Sequence, residues 1–240
     1  MDFSLVVPTY NESANIRGLL DELGLALNGL DYEIVVVDDD SPDRTWELVD
    51  RYSADHPRVR AIRRTTERGL ATAVIAGWRA AKGRYLAVID GDGQHPPEAI
   101  RRIFDRMAAG DVDLVAGTRK SSGGSTGEWN LWRVFVSWVA TMMAKVLFPI
   151  RLQGLGDPMG GMFCMRREVV RGKVLSPIGY KIMLEAIIRG RPARMAEVPY
   201  TFLERKAGAS KMGMKEIFRY LVHLLRMRFL PAPKTGMVVE

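Results

Sequence analysis

Short apolar runs alternate with longer segments of helical periodicity along the first half of the chain. Five runs, at 3–7, 34–37, 59–62, 85–89 and 114–116, are rich in the β-branched and aromatic residues typical of strands. Between them, the segments near 14–28, 43–54, 70–81 and 97–109 repeat apolar positions at helical spacing. Because unbroken apolar strands indicate a sheet covered on both faces, the pattern predicts an α/β fold with a mostly parallel, Rossmann-like sheet and flanking helices.

Polar clusters follow three of the predicted strands. They read PTYNE at 8–12, DDDS at 38–41 and DGDGQ at 90–94. The carboxyl ends of parallel strands share one sheet edge, where ligands bind in such folds. Asp90 and Asp92 are spaced to face one ion, and Gln94 would add a neutral oxygen, a ligand set that suits Mg²⁺ or Mn²⁺. We therefore predict a metal site here, with simple turn formation by Asp and Gly as the alternative.

Several common chemistries are disfavoured by the sequence. It contains no G-x-G-x-x-G, no P-loop motif and no G-x-S-x-G elbow. His56, His95 and His223 lack zinc-type spacing. The single cysteine, Cys164, cannot form an internal disulfide, which fits a reducing compartment. We expect its side chain to lie in the core. Since the chain opens with Met-Asp and runs into a strand, we expect no signal peptide.

Four motifs in order carry a resemblance to a known family. They are VPTYNE at 7–12, VDDDSPDRT at 37–45, DGDGQHPP at 90–97 and DPMGGMF at 157–163. Together they resemble inverting family 2 glycosyltransferases and, more narrowly, the dolichyl/polyprenyl-phosphate mannose synthase group. The resemblance implies a GT-A domain over residues 1–212, a nucleotide-sugar donor, a divalent cation and a lipid-phosphate acceptor.

The resemblance also implies roles for individual residues. The nucleotide-sugar ligands would be Pro8, Tyr10, Glu12, Val37, Asp39, Asp90, Gly91, Asp92, Arg205 and Lys211. The metal ligands would be Asp90, Asp92 and Gln94, and the acceptor-phosphate ligands Arg119, Arg133 and Ser137. The catalytic set would be Asp92, Arg119, Arg133 and Asp157. Because a phosphate monoester is already anionic at neutral pH and needs no protein base, Asp157 is expected to position other groups.

Residues 131–148 predict a helix with one polar line. Arg133, Ser137, Thr141 and Lys145 follow one another at intervals of four, and nearly all other positions are apolar. Such a helix is expected to be buried in protein or to lie partly in lipid. A core helix with a solvated polar seam fits this segment equally well.

Residues 213–240 predict a basic amphipathic helix and tail. Ile217, Phe218, Leu221, Leu224 and Leu225 would share a face opposite Lys215, Arg219 and Arg226, a pattern typical of a membrane-interface helix. A solvated charged face and a contact with a partner subunit are the alternatives. Together with the helix at 131–148 it favours peripheral membrane association. Since the longest charge-free stretch of the most apolar region, 134–144, is about half the length needed to cross a bilayer, no unaided span is expected.

The net charge of +7, with a pI near 9.7, indicates an anionic partner. We predict transfer of a hexose, expected to be mannose from GDP-mannose, to a dolichyl or polyprenyl phosphate with inversion, at the cytoplasmic face of a membrane. A membrane-anchoring subunit is a candidate partner. The alternatives are a UDP-sugar-dependent glucosyl- or GlcNAc-type polyprenyl-phosphate transferase, a family 2 enzyme with a soluble acceptor, and a catalytically silent scaffold. Nucleic-acid binding is disfavoured because the aromatic residues lie on amphipathic faces.

Overall fold

The protein is described here by a computed structural model covering residues 1–120, 123–127, 129, 131–204, 214–231 and 235–240. The strands are β1 (Phe3–Thr9), β2 (Tyr32–Asp38), β3 (Val59–Arg63), β4 (Tyr85–Val88), β5 (Leu114–Thr118), β6 (Phe163–Arg166), β7 (Val174–Leu175), β8 (Met195–Pro199) and β9 (Met237–Val238). The helices are α1 (Ile16–Ala26), α2 (Thr45–Asp55), α3 (Leu70–Ala80), α4 (Pro97–Ala108), α5 (Leu131–Leu147), α6 (Ile182–Gly190) and α7 (Met214–Phe229), with a short 3-10 turn at Arg167–Val169.

Seven of these strands form one sheet in the order β3-β2-β1-β4-β6-β5-β8. All pairs are parallel except those that β6 makes with β4 and β5. The predicted α/β class with a mostly parallel sheet is thus confirmed, and the five predicted strands and four predicted helices of the first half are all present. Strand β6, helix α6 and strand β8 were not predicted.

Helices cover both faces of the sheet. Leu5 and Val7 of β1 belong to the core layer that includes residues of α1 and α4, whereas Val6 points to the opposite layer, which includes residues of α3. This alternation is the two-residue period of a strand. Gly77 lets α3 approach closely, because a Cβ there would lie 2.5 Å from a methyl carbon of Val6. The cores on both faces explain the unbroken apolar strands in the sequence.

The C-terminal segments pack against the same body. Tyr220, Leu224 and Met227 of α7 join the core that contains α3 and α6. Strand β9 pairs antiparallel with β7, and the side chain of Val239 is fully buried. Among the helices within the described ranges, none combines the length and the apolar character that a membrane span requires.

Candidate active site

The carboxyl ends of β1, β2 and β4 meet at one edge of the sheet and open into a cleft of about 510 Å³. Because β2 and β4 lie on opposite sides of β1, the polar residues that follow all three strands converge on this cleft. Ten predicted site residues line it: Pro8, Tyr10, Glu12, Asp39, Asp90, Gly91, Asp92, Gln94, Arg119 and Arg133. The fold thus brings the three acidic strand ends together as predicted.

The three consecutive aspartates at the end of β2, Asp38 to Asp40, have different environments. Asp38 is fully buried and accepts hydrogen bonds from the Thr9 hydroxyl (2.8 Å) and the Ser41 backbone N–H (2.8 Å), which ties the ends of β1 and β2 together. Asp40 has a positive φ of 55° and forms an ion pair with Arg63 at the surface. Asp39 alone of the three lines the cleft.

Asp39 is held in place by a residue that the sequence did not single out. The Arg64 Nε donates to Asp39 Oδ1 at 2.7 Å, and the Gly69 backbone N–H donates to Asp39 Oδ2 at 2.6 Å. Nearby, the Arg68 guanidinium lies 5.3 Å from the centre of the Tyr10 ring. This end of the cleft therefore combines an oriented carboxylate with an aromatic ring, groups that can bind the polar edge and the face of a planar heterocycle.

Asp90, Asp92 and Gln94 form a loop directly after β4. The Gln94 backbone N–H donates to Asp92 Oδ1 at 3.1 Å, and the Gln94 Nε2 donates to the Leu203 carbonyl at 3.1 Å. Gly161 makes room for the loop, since a Cβ there would lie 2.4 Å from Asp90 Oδ2. Their oxygens suit Mg²⁺ or Mn²⁺. In the described part of the chain there is no group of three His, Cys, Asp or Glu residues that could hold a metal.

His95 lies beside this loop in an apolar setting. Its side chain is buried against the rings of Tyr200 and Phe202, and its Nδ1 is 3.8 Å from Asp90 Oδ2. Burial lowers the pKa of His95 to about 4. The imidazole is therefore neutral at physiological pH and adds no charge to the cleft.

Arg119 and Asp157 form a buried ion pair at the floor of the cleft. Arg119 Nε donates to Asp157 Oδ2 at 2.7 Å, and Nη2 donates to Oδ1 at 3.0 Å. Burial acts to raise the pKa of Asp157, but the hydrogen bonds and charge of Arg119 outweigh it and hold that pKa below its ordinary value. Glu197 fixes the loop by accepting the backbone N–H groups of Gly156 (2.8 Å) and Asp157 (2.9 Å). Asp157 thus orients Arg119 and does not itself line the cleft.

A second cavity of about 230 Å³ adjoins the cleft between α5 and α7. Its apolar lining comes from Phe135, Val136, Val139, Ala140, Met143, Ile217, Tyr220 and Leu221, and Ser137 also lies there. The two cavities share six residues: Arg119, Trp129, Arg133, Met159, Tyr180 and Lys181. The polar cleft therefore meets an apolar cavity at a junction that carries three cationic side chains.

Trp129 orients the two arginines at this junction. The guanidinium carbon of Arg133 lies 4.0 Å from the centre of the Trp129 ring, and that of Arg119 lies 4.9 Å from it. A cation over an aromatic face is attracted by the ring and loses freedom of movement. Sequence reasoning missed Trp129, Tyr180 and Lys181, because only the folded chain brings them beside Arg119.

The polar line of α5 faces the protein. Thr141 is 1% exposed, and the Lys120 Nζ donates to its hydroxyl at 2.6 Å. On the opposite side, Leu131 and Trp132 are 88% and 71% exposed. The alternative of a core helix with a solvated polar seam is therefore wrong, because the polar side packs inward and the apolar side is open.

Two of the predicted site residues that the structure describes, Val37 and Asp157, line neither cavity. Val37 is fully buried in the hydrophobic core. Arg205 and Lys211 lie outside the described residues.

Comparison with solved structures defines the class of fold. The chain superimposes with a TM-score of 0.71 and 20% identity on a crystal structure of glucosyl-3-phosphoglycerate synthase from Mycobacterium tuberculosis, solved with Mn²⁺, UDP and glucosyl-3-phosphoglycerate. The match covers 96% of this chain and 81% of that one. The predicted GT-A fold is thereby confirmed.

The family follows from the sequence matches. The profile described as "Glycosyl transferase family 2" matches residues 4–172, and the chain belongs to this family of glycosyltransferases. It is 44% identical over 227 residues to a dolichol-phosphate mannosyltransferase of Pyrococcus furiosus. The aligned region covers 95% of this chain and 64% of that protein. It is 36% identical over 236 residues to the protein of the same name from Saccharomyces cerevisiae, covering 93% and 86%. The predicted family and its mannosyltransferase group are confirmed, and the chain spans about two thirds of the archaeal relative's length.

Proposed function

We propose that this protein transfers mannose from GDP-mannose to dolichyl or another polyprenyl phosphate, with inversion at the anomeric carbon. The observation that carries the proposal is the junction between a carboxylate-lined cleft and an apolar cavity, with Arg119 and Arg133 lining both. A nucleotide sugar fits the first space and a lipid chain the second. Their phosphate groups would then approach each other at the arginines. The mannosyltransferase relatives support this choice of substrates.

The donor would bind at the ends of β1, β2 and β4. Tyr10, Glu12 and Asp39 would contact the nucleoside, since they line the cleft beside Pro8. Asp90, Asp92 and Gln94 would hold Mg²⁺ or Mn²⁺, which supplies Lewis-acid stabilisation of the departing diphosphate. The structural neighbour that contains Mn²⁺ and UDP supports such a site.

The acceptor phosphate would bind at the junction. Guanidinium groups match phosphate geometry through paired hydrogen bonds. Trp129 orients the guanidinium of Arg133, and Asp157 orients that of Arg119. Ser137 lines the adjoining cavity and would add a hydroxyl. The apolar residues of α5 and α7 beyond it would surround the first isoprene units.

Inversion would follow from direct attack. A phosphate monoester carries about −1.5 to −2 charges at neutral pH and needs no base to remove a proton. Attack of its oxygen on the anomeric carbon, as the bond to the nucleoside diphosphate breaks from the opposite face, gives an inverted sugar. The ion pair with Arg119 occupies both carboxylate oxygens of Asp157, which suits a positioning role.

Membrane association would use the open apolar surface of α5 and α7. Leu131, Trp132, Phe135 and Trp138 are exposed on α5, and Phe218, Leu225 and Phe229 on α7. The predicted single apolar face of α7 is divided: Leu224 is fully buried in the core, whereas Phe218 and Leu225 point outward. Apolar residues beside arginines such as Arg219 and Arg226 are typical of helices at an anionic lipid surface. A membrane-anchoring subunit could cover part of the same surface.

A soluble acceptor is the second candidate function. The structural likeness to glucosyl-3-phosphoglycerate synthase, at 20% identity, concerns the fold alone and gives this candidate no further support. A soluble acceptor would leave both the apolar cavity and the exposed tryptophans of α5 without a role.

The deciding experiment supplies three donors, GDP-mannose, UDP-glucose and UDP-GlcNAc, to the purified protein with Mn²⁺, Mg²⁺ or EDTA. Each donor is combined with either a polyprenyl phosphate in detergent or 3-phosphoglycerate. We expect a mannosylated lipid phosphate from GDP-mannose, no product in EDTA, and an inverted anomeric configuration by NMR. A product formed only on 3-phosphoglycerate, or only from a UDP-sugar, would overturn the proposal.

A further inference from the structure

We propose that Lys181 is a third cationic ligand of the acceptor phosphate, acting with Arg119 and Arg133 at the junction of the two cavities. The inference rests on the proposed function and assigns the junction lysine to one of the two substrates.

Lys181 stands just before α6 and lines both cavities. Its Nζ donates to the Met159 carbonyl at 2.8 Å and lies 4.4 Å from the centre of the Tyr180 ring. These contacts hold the ammonium at the wall that the cavities share. The Met159 carbonyl belongs to the loop that carries Asp157, so the lysine and Arg119 are anchored to the same loop.

The surroundings of Lys181 disfavour its charged form. Burial, together with the positive charges of Arg119 and Lys120, lowers the pKa of Lys181 to about 7, although the negative charges of Asp157 and Asp90 act in the opposite direction. Asp157 is already paired with Arg119 through two hydrogen bonds. A desolvated cation in this position is stabilised by an anion that enters the cavity. A phosphate monoester brings that charge, and an ammonium can donate to an oxygen that the planar guanidinium groups leave open.

The position favours the acceptor over the donor. The carboxylates Asp90 and Asp92 line only the polar cleft, where a cation would meet the donor's diphosphate. Lys181 instead lines both spaces, as do the two arginines expected to bind the acceptor. A phosphate at the head of a chain in the apolar cavity would lie beside these three cations, which line both spaces.

The test compares two single variants of the 240-residue chain. Lys181→Met keeps the length and apolar stem of the side chain but removes the charge, and Lys181→Arg keeps a cation at this position. Lys173→Gln is the matched control, because Lys173 is exposed and lines neither cavity. Initial rates are measured against a polyprenyl phosphate at saturating GDP-mannose and Mn²⁺. Binding of GDP with Mn²⁺ is measured separately by calorimetry.

For Lys181→Met we expect the KM for polyprenyl phosphate to rise by about 10- to 100-fold, the range for a lost charge-assisted hydrogen bond. The Kd for GDP should stay within about twofold, Lys181→Arg should recover part of the loss, and Lys173→Gln should match the unmodified protein. If Lys181→Met does not accumulate as folded protein, Lys181→Gln gives the same measurement.

An unchanged KM for polyprenyl phosphate in Lys181→Met would overturn the inference. If the affinity for GDP were weakened at the same time, the lysine would belong to the donor site. Failure of the unmodified protein to form any glycolipid would instead overturn the proposed function. The two failures are therefore distinguishable.

Discussion

Replacing Asp157 by asparagine tests the buried ion pair that orients Arg119. The substitution keeps the shape of the side chain but removes its charge and one of its two acceptor oxygens. Arg119 would then face an amide NH₂ group where Oδ1 or Oδ2 now accepts a hydrogen bond at 3.0 or 2.7 Å. The guanidinium would remain buried against Trp129 and Phe202 without its paired carboxylate.

The size of the effect follows from this burial. Asp157 is 0% exposed, and removing one partner of a buried pair costs about 3–5 kcal/mol because the other charge stays desolvated. For a domain of this size, about 1 kcal/mol corresponds to about 2–4 °C in Tm. Asp157→Asn should therefore lower the Tm by about 6–20 °C. It should also reduce transfer, since Arg119 lines both cavities.

Thermal unfolding and unfolding in guanidinium chloride measure the loss of stability. Asp111→Asn is the control variant. Asp111 pairs with Arg106 through the same types of group at the surface, where an ion pair contributes little. Its replacement should leave the unfolding midpoint unchanged. Equal midpoints for Asp157→Asn and the unmodified protein, with normal transfer, would refute the reasoning.

The pH dependence gives a second check on the same pair. The pKa of Asp157 is lower in the folded state, so its contribution to stability is complete above the unfolded pKa of about 3.9 and is lost as the pH falls toward the folded value. The stability difference between Asp157→Asn and the unmodified protein should therefore be full at about pH 7 and should shrink below about pH 4. A difference that grows on acidification would contradict this assignment.

Three further substitutions test the cleft. Asp92→Ala should lower transfer by about a thousandfold or more and abolish Mn²⁺-dependent GDP binding in calorimetry, because it removes one of the two carboxylates in the expected metal set; normal turnover would exclude that role. Arg133→Ala should raise the KM for polyprenyl phosphate by about 10- to 100-fold while GDP affinity is retained, and a change confined to GDP affinity would argue against it. Gly161→Ala would place a Cβ 2.4 Å from Asp90 Oδ2, and we expect a weaker Mn²⁺ dependence of the rate. Gly18→Ala, where a Cβ meets nothing within 4 Å, should leave the rate unchanged, and equal Mn²⁺ dependence in both variants would show that the loop tolerates the methyl group.

The first half of the fold was predictable because its signals are local. Each strand is a mainly apolar run and each helix repeats apolar positions at helical spacing, so the elements within residues 1–116 were predicted correctly. Strand β6, Phe163–Arg166, was missed because it lies beyond the regular alternation of strands and helices in residues 1–116. Its antiparallel insertion between β4 and β5 depends on pairing with residues about 50–80 positions away.

The candidate site was predicted only in part, because some of its residues carry local sequence signals and others do not. Asp90, Asp92 and Gln94 are adjacent in sequence, and their place at a strand end could be inferred from the topology of parallel sheets. Lys181 and Trp129 carry no motif and reach the site only through the packing of α5, α6 and the intervening loops.

The α/β class, the three acidic strand ends and the apolar helix with one polar line can all be read from the sequence, because they depend on neighbours along the chain. The direction in which that helix faces depends on packing. A periodic pattern defines two sides but does not say which is buried, since water, protein and lipid are all candidate neighbours. Packing placed Thr141 inside and Trp132 outside, and thereby set an apolar cavity beside a cleft lined with charged groups.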